Sequence, residues 1–217
     1  MHILGLTGSI ATGKSTAAAM LKRLGIPVYD ADATVHALLG TAGPTVSAIA
    51  ELFPGTVVDG IIDRAALGAR VFRDLAGLRQ LEGILHPLVR YAEQRFLRHA
   101  AIRHTTLVVL DVPLLFETCG EQRCDATIAM TAPRFLQTQR ALRRAGMTPG
   151  RLEAIRARQT PEAEKRRLAG FVISSGLGRG LTRRRLIQAL KVIRTYPACH
   201  WPPCLLPRMP RRGCRHA

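Results

Sequence analysis

Gly8-Ser9-Ile10-Ala11-Thr12-Gly13-Lys14-Ser15 has the glycine, lysine and hydroxyl spacing of a phosphate-binding loop, G-x-x-x-x-G-K-[ST]. Its flanks decide the fold. HILGLT (2–7) is a short apolar run that reads as a buried strand. Ser15 to Leu24 reads as a helix, carried by Ala17, Ala18, Ala19, Met20 and Leu21. Gly25 stops it and Pro27 follows. Val28 and Tyr29 form a second short strand, ending at Asp30-Ala31-Asp32. Strand, glycine loop, helix and strand in quick succession make a parallel βαβ unit. The chemistry explains the spacing. Gly8 and Gly13 let the backbone curl so that its N–H groups face phosphate oxygens, and the helix that follows aims its positive end at the same place. Lys14 reaches the β- and γ-phosphates, and the Ser15 hydroxyl can ligate Mg²⁺. A glycine-rich turn with no ligand is the bland alternative. The strand before the loop and the helix after it argue against that.

From Pro44 to His104 the chain reads as mostly helical, with a turn at Asp59-Gly60. Ala65–Phe72 and Leu75–Leu85 carry apolar residues at three- and four-residue spacing, and Pro87 suits the first turn of a helix running on to Ala101. Strands are expected at Thr105–Val112, Ala126–Met130 and Phe171–Ile173. Helices are expected at Pro133–Ala145, Pro149–Arg158, Pro161–Leu168 and Thr182–Arg194. The fold class is therefore α/β: a P-loop nucleoside-triphosphate hydrolase-like core whose parallel β-sheet is flanked by helices. From Tyr196 the chain carries five prolines in 22 residues and no period, and we expect 196–217 to be a disordered, basic, Pro/Cys-rich tail.

The 217 residues carry a formal net charge of +17, which by itself suggests a nucleic-acid partner. The distribution weakens that reading. Residues 1–164 hold 19 Lys+Arg and 15 Asp+Glu, whereas 165–217 hold 13 Lys+Arg and no acid. The excess is a basic last helix and tail. Five cysteines at irregular spacing make a poor disulfide framework and lack the paired spacing of a zinc site. The apolar stretch Leu107–Phe116 is broken by Asp111 and Pro113 and is too short to span a bilayer. No basic region precedes an apolar run at the N-terminus, so no signal peptide is expected, and a soluble cytoplasmic protein is the expectation. The N-K-x-D motif with which regulatory GTPases read their base is absent. The helical insertion and the arginine-rich late segment point instead to a small-molecule kinase.

The resemblance then becomes specific. LTGSIATGKST (6–16), GIPVYDAD (25–32), DRAALGARVF (63–72), LHP (85–87), DVPLLFE (111–117), Gln139-Arg140 with RRAGMT (143–148), and RQTPEAEKRRLAGFVI (158–173) resemble the dephospho-CoA kinase family, segment by segment and in order. The resemblance implies ATP-dependent phosphorylation of the ribose 3′-hydroxyl of dephospho-CoA, the last step of coenzyme A synthesis, with Mg²⁺ as cofactor and ATP and dephospho-CoA as the small-molecule partners. It implies a P-loop core over 1–43 and 105–195 with a lid within about 133–160, and a helical substrate domain over 44–104.

It also assigns roles. Gly8, Ala11, Thr12, Gly13, Lys14, Ser15 and Thr16 would bind ATP. Asp32, beyond the second strand where ligands of such sheets bind, would orient the acceptor hydroxyl and take its proton; on the residues alone it serves equally as an N-cap for 33–39. Asp30 is the structural one. Arg140, in the lid-like segment, would close over the transferring phosphate and neutralise developing charge, against the alternative of a solvated helix face. Asp111, ending a buried strand, would hold a metal-bound water alongside the Ser15 hydroxyl, or simply cap the strand end. Leu114 and Leu115 would contact the acceptor, and Glu117 would bond a ribose or order the site. His86 and Arg64 complete the acceptor set. The chain departs from the family at three places. Gly170 stands where an aspartate is usual. Ser175 stands where an asparagine near the adenine is usual, offering a shorter polar group. Ala11 stands where the loop carries glycine, and its fit there requires a negative φ.

Two other classes fit part of the sequence. One is another small-molecule kinase, acting on a nucleoside monophosphate or a sugar. The other is a degenerate P-loop protein that binds nucleic acid through its basic end. Only Tyr196 and Trp201 flank that tail as stacking platforms, which argues against the second.

Overall fold

A computed structural model describes residues 1–40, 44–58, 60–72 and 74–202. The chain divides into two compact units, Met1–Tyr29 with Ala100–Ala217, and Asp30–His99.

The first unit is built on a parallel five-stranded sheet in the order β2-β5-β1-β6-β7. Its strands are β1 (His2–Gly8), β2 (Val28–Asp30), β5 (Leu107–Asp111), β6 (Ala126–Thr131) and β7 (Phe171–Ser174). β1 is central, in register with β5 from His2↔Leu107 to Leu6↔Asp111 and with β6 from Leu4↔Ala126 to Gly8↔Met130. β5 is buried at every position, as a parallel strand covered on both faces must be. Helices α1 (Lys14–Arg23) and α9 (Arg179–Ile193) share one apolar cluster with the sheet: Ala17 and Leu21 from α1, Leu186 and Ile193 from α9, and Leu4, Leu6, Ile128 and Ile173 from the strands. Each of these leucines and isoleucines contributes about 1.5–3 kcal/mol on burial. The remaining helices of this unit are α6 (Arg134–Leu142), α7 (Pro149–Arg158) and α8 (Glu162–Leu168). Thr148 caps α7 by accepting from Arg151 N at 3.2 Å.

The second unit holds α2 (Ala31–Gly40), α3 (Pro44–Leu52), the antiparallel pair β3 (Val57–Val58) and β4 (Ile61–Ile62), α4 (Arg64–Phe72) and most of α5 (Leu75–Ile102). Val46, Ile49, Phe53, Ile62, Leu67 and Leu85 form its core, with Val35 and Leu39 of α2 against it. That packing puts α2 with this unit. Three local expectations are corrected. The hairpin is a small sheet within a segment read as helical; Gly60, at φ 74°, follows residue 59, which lies outside the described residues. Pro87 lies inside one continuous helix rather than at the start of another; it withdraws the N–H that the Gly83 carbonyl would receive. Asp30, not Asp32, caps α2, accepting from Ala33 N at 2.9 Å.

The expected tail is described only to Pro202. Within it, Cys199 N and His200 N both donate to Asp125 Oδ1, at 2.6 and 3.1 Å, so this part is bonded to the first unit; the rest of that expectation lies outside the described residues. Of the described cysteines, Cys124 is buried and Cys199 is exposed. Among the described residues no helix is long and apolar enough to cross a membrane.

Candidate active site

The loop between β1 and α1 leaves the carboxyl end of the sheet, where parallel α/β folds bind their ligands. Its curl is tight. A Cβ on Gly8 would lie 2.6 Å from Thr12 Oγ1 and 2.8 Å from the Met130 carbonyl oxygen, so no larger residue fits. Gly13 is left-handed, φ 87°, and opens α1 without a side-chain cap. The Thr12 side chain is fully buried and donates to the Ser9 carbonyl at 2.8 Å, which braces the loop from within. Ser15 is exposed on the first turn of α1 and Thr16 is half-buried.

Ala11 corrects the sequence expectation. Its φ is +60°, not negative. The loop requires a left-handed residue there, and what holds an alanine in that conformation is packing: Ile10 and Ala11 form an apolar cluster with Ala141 of α6 and Leu152 of α7. Ile10 N also donates to Gln159 Oε1 at 3.0 Å. The phosphate loop is thus seated on the helices of the lid-like segment.

Lys14 Nζ is ion-paired with Asp111 Oδ1 at 2.6 Å, their side chains 14 % and 3 % exposed. Asp111 ends β5, and the parallel register brings that end beside the loop. Arg140 and Ser175 meet on the other side. The Arg140 Nη1 donates to Ser175 Oγ at 2.9 Å and its Nη2 to the Ser175 carbonyl at 3.3 Å. Ser175 Oγ donates in turn to the Thr12 carbonyl at 2.7 Å.

After β5 the chain turns through Val112–Glu117. Leu114 is 39 % exposed, but Leu115 is turned fully inward; a Cβ on Gly5 would lie 2.7 Å from its side chain, and one on Gly120 would lie 2.8 Å away. An acceptor contact through the Leu115 side chain is therefore withdrawn. Glu117 Oε1 accepts from Thr160 N at 2.7 Å and is ion-paired with Lys165 Nζ at 2.9 Å. Lys165 is itself 1 % exposed and reaches the Pro113 carbonyl at 3.5 Å. Of its two expected roles, Glu117 is placed to order the site. Burial raises the Glu121 carboxyl above its usual value in the same neighbourhood.

Asp32, Arg64 and His86 belong to the second unit. Asp32 is exposed in the first turn of α2, and His86 is exposed on α5. Arg64 Nη1 is hydrogen-bonded to His36 Nδ1.

A cleft of about 760 Å³ opens at Ser9, walled by Arg134, Gln137, Arg156, Gln159 and Glu162. Lys14, Asp111 and Arg140 are not among its lining.

Sequence reading did not find Lys165, Gln159, Thr160 or the Ser175–Thr12 link. A lysine ordinarily marks solvent, and no periodic signal shows that this one is buried. For Ser175, the available signal was its place immediately after the last strand, at the same edge as the loop.

What the site can do is grip a polyphosphate with loop amides and two cations beside a strand-end carboxylate. The comparisons agree. The dephospho-CoA kinase family model matches residues 2–177. The dephospho-CoA kinase of Paramagnetospirillum magneticum is 60% identical over 166 residues, covering 76% of this chain and 78% of that one. That of Rhodospirillum rubrum is 58% identical over 178 residues, covering 81% and 84%. Among solved structures, TT1252 from Thermus thermophilus superimposes with a TM-score of 0.77 at 36% identity, over 88% of this chain and 96% of that one. The Campylobacter jejuni dephospho-CoA kinase, at 24% identity and a TM-score of 0.64, shares the fold.

Proposed function

We infer the chemistry of this site from its lineage: the chain belongs to the dephospho-CoA kinase family, and it phosphorylates dephospho-CoA with ATP to give coenzyme A. The observation that supports it within the site is the intact loop with Lys14 paired to Asp111 and with Arg140 bonded to Ser175, whose hydroxyl donates to the loop's Thr12 carbonyl. The ribose 3′-oxygen attacks Pγ in line. The O3′–Pγ bond forms, the bond from Pγ to the β,γ-bridging oxygen breaks, ADP leaves, and the hydroxyl proton passes to the Asp32 carboxylate. An ordinary aspartate suffices for this, because phosphoryl transfer depends on positioning and charge stabilisation more than on base strength.

Each residue of the loop has a task. The amides of Gly8 to Lys14, with Ala11 and Thr12 shaping the curl, cradle the phosphates. Lys14, relieved of Asp111, serves the β- and γ-phosphate oxygens. Arg140 neutralises charge that grows on the transferring group. For Mg²⁺, the donor chemistry fits: the exposed Ser15 hydroxyl and, through water, the Asp111 carboxylate are hard oxygen donors on either side of Lys14. Bound there, the cation would neutralise the β- and γ-phosphates. On the acceptor side, Leu114 offers an exposed apolar face, and Arg64 and His86 are the candidates for the acceptor's phosphates. We place the enzyme in the cytoplasm.

The test is ADP release with Mg·ATP against dephospho-CoA, adenosine, AMP, a sugar and no acceptor. Turnover is expected with dephospho-CoA and to be abolished by Lys14→Ala; turnover with a different acceptor alone would overturn the reading. Asp32→Asn is expected to lower kcat at least about a hundredfold, the scale of a lost general base, with ATP affinity near normal. An unchanged kcat removes Asp32 from the reaction.

A further inference from the structure

We propose that Ser175 is a positioning residue of the phosphoryl transfer: it holds the Arg140 guanidinium against the phosphate loop. This rests on the role given to Arg140 above.

The hydrogen-bond arithmetic is closed. A serine hydroxyl has one proton to give, and it goes to the Thr12 carbonyl at 2.7 Å. Its lone pair accepts Nη1 of Arg140 at 2.9 Å, and the Ser175 carbonyl accepts Nη2 at 3.3 Å. The backbone N–H of Ser175 is used elsewhere, donating to the Thr131 carbonyl at 2.9 Å and continuing the β6–β7 pairing. Sheet extension therefore needs only the backbone of residue 175, and it does not explain the hydroxyl. What the hydroxyl joins is a loop carbonyl and a guanidinium. The hydroxyl and the guanidinium lie near the loop's second glycine: a Cβ on Gly13 would stand 2.9 Å from Ser175 Oγ and 3.9 Å from Arg140 Nη1.

The other end of Arg140 is fixed as well. Its neighbour Ala141 is fully buried in the cluster with Ile10, Ala11 and Leu152, so α6 is seated on the loop through that methyl while Ser175 grips the tip of Arg140. A free arginine head loses substantial rotamer entropy when it is ordered. Here the Ser175 hydroxyl and carbonyl hold the head, and preorganisation is the condition under which a charge stabilises a transition state most. Hydrogen bonds that involve a charged group are also stronger than neutral ones, so loss of the hydroxyl is felt at the guanidinium first.

The experiment is a double-mutant cycle of wild type, Ser175→Ala, Arg140→Ala and the double variant, with thermal unfolding to show each is folded. Wild-type turnover of dephospho-CoA tests the family reaction; the cycle tests only the part of Ser175 in it. Ser175→Ala is expected to lower kcat about tenfold, with KM for dephospho-CoA unchanged. In the Arg140→Ala background the same change is expected to alter kcat less than about twofold, because the group it positions is gone. An equal effect of Ser175→Ala in both backgrounds overturns the proposal, as does an effect confined to KM for ATP; either would assign the hydroxyl to bracing the loop.

Discussion

Ala11 sits at φ +60° in the phosphate loop, and its energetics decide how much this chain gives up by lacking a glycine there. A left-handed L-residue costs about 1–2 kcal/mol. Against that, its methyl is buried with Ile10, Ala141 and Leu152, worth about 0.8 kcal/mol. A glycine would also add about 0.4–1 kcal/mol of unfolded-state entropy to be lost. The terms nearly cancel. Ala11→Gly is therefore expected to leave stability within about 0.5 kcal/mol of wild type in urea unfolding, the balance of those terms. Ala11→Val is expected to lose at least about 2 kcal/mol, because a β-branched residue at positive φ is a true outlier and adds bulk at a buried position. A gain above about 1 kcal/mol for the glycine variant would mean the methyl packs against nothing that matters.

At the scale of elements, the tie that matters runs from the turn after β5 to α8. Lys165 and Glu117 make it, with Thr160 N and the Pro113 carbonyl as further partners. Removing one partner of a buried pair costs about 3–5 kcal/mol, while replacing both with apolar or neutral groups of like volume is often tolerated. Lys165→Ala is thus expected to cost roughly that much in urea unfolding. The pair Lys165→Met with Glu117→Gln is expected to recover more than half. Equal losses in single and double variants would show that volume, not charge, is at stake. This tie also shows where sequence reading stops. Local chemistry announced β1, the loop, α1 and the later strands, because glycine placement and apolar runs act over a few residues. Lys14 and Ser15 stand out for the same reason, lying in a short motif, whereas Arg140 is singled out only by the family resemblance of its segment. The ion pair joins positions far apart in the chain, and nothing in either segment names the other. The β3–β4 pair was missed because two-residue strands carry no alternation to read. Pro87 misled because its usual place is a first turn. Ala11 misled because the sign of φ is set by the whole loop, not by the residue.

Across the whole molecule, one contact fastens the far end of the chain to the sheet, away from the phosphate loop. Asp125 precedes β6, the opposite end of that strand from Met130, which pairs with Gly8. It accepts from Ile3 N at 2.7 Å, Cys199 N at 2.6 Å, and His200 N and Nδ1 at 3.1 and 2.9 Å. Burial by itself would raise this carboxyl, but the bonds from Ile3, Cys199 and His200 outweigh it and hold it below its ordinary 3.8. A carboxyl so held binds a proton less readily folded than unfolded. Its contribution is therefore complete above about pH 5, where both states are ionised, and is lost as pH falls below about 4 and through the folded value. Hydrogen exchange at the Cys199 and His200 amides is expected to be slow at neutral pH and to show loss of protection in acid after correction for intrinsic rates. Asp125→Asn is expected to weaken that protection already at pH 7, by up to about 1.5–3 kcal/mol for hydrogen bonds to a charged group, and to flatten its change in acid. Protection that is the same in both proteins from pH 7 to 3 would show that packing, and not the Asp125 carboxylate, holds residues 199 and 200 in place.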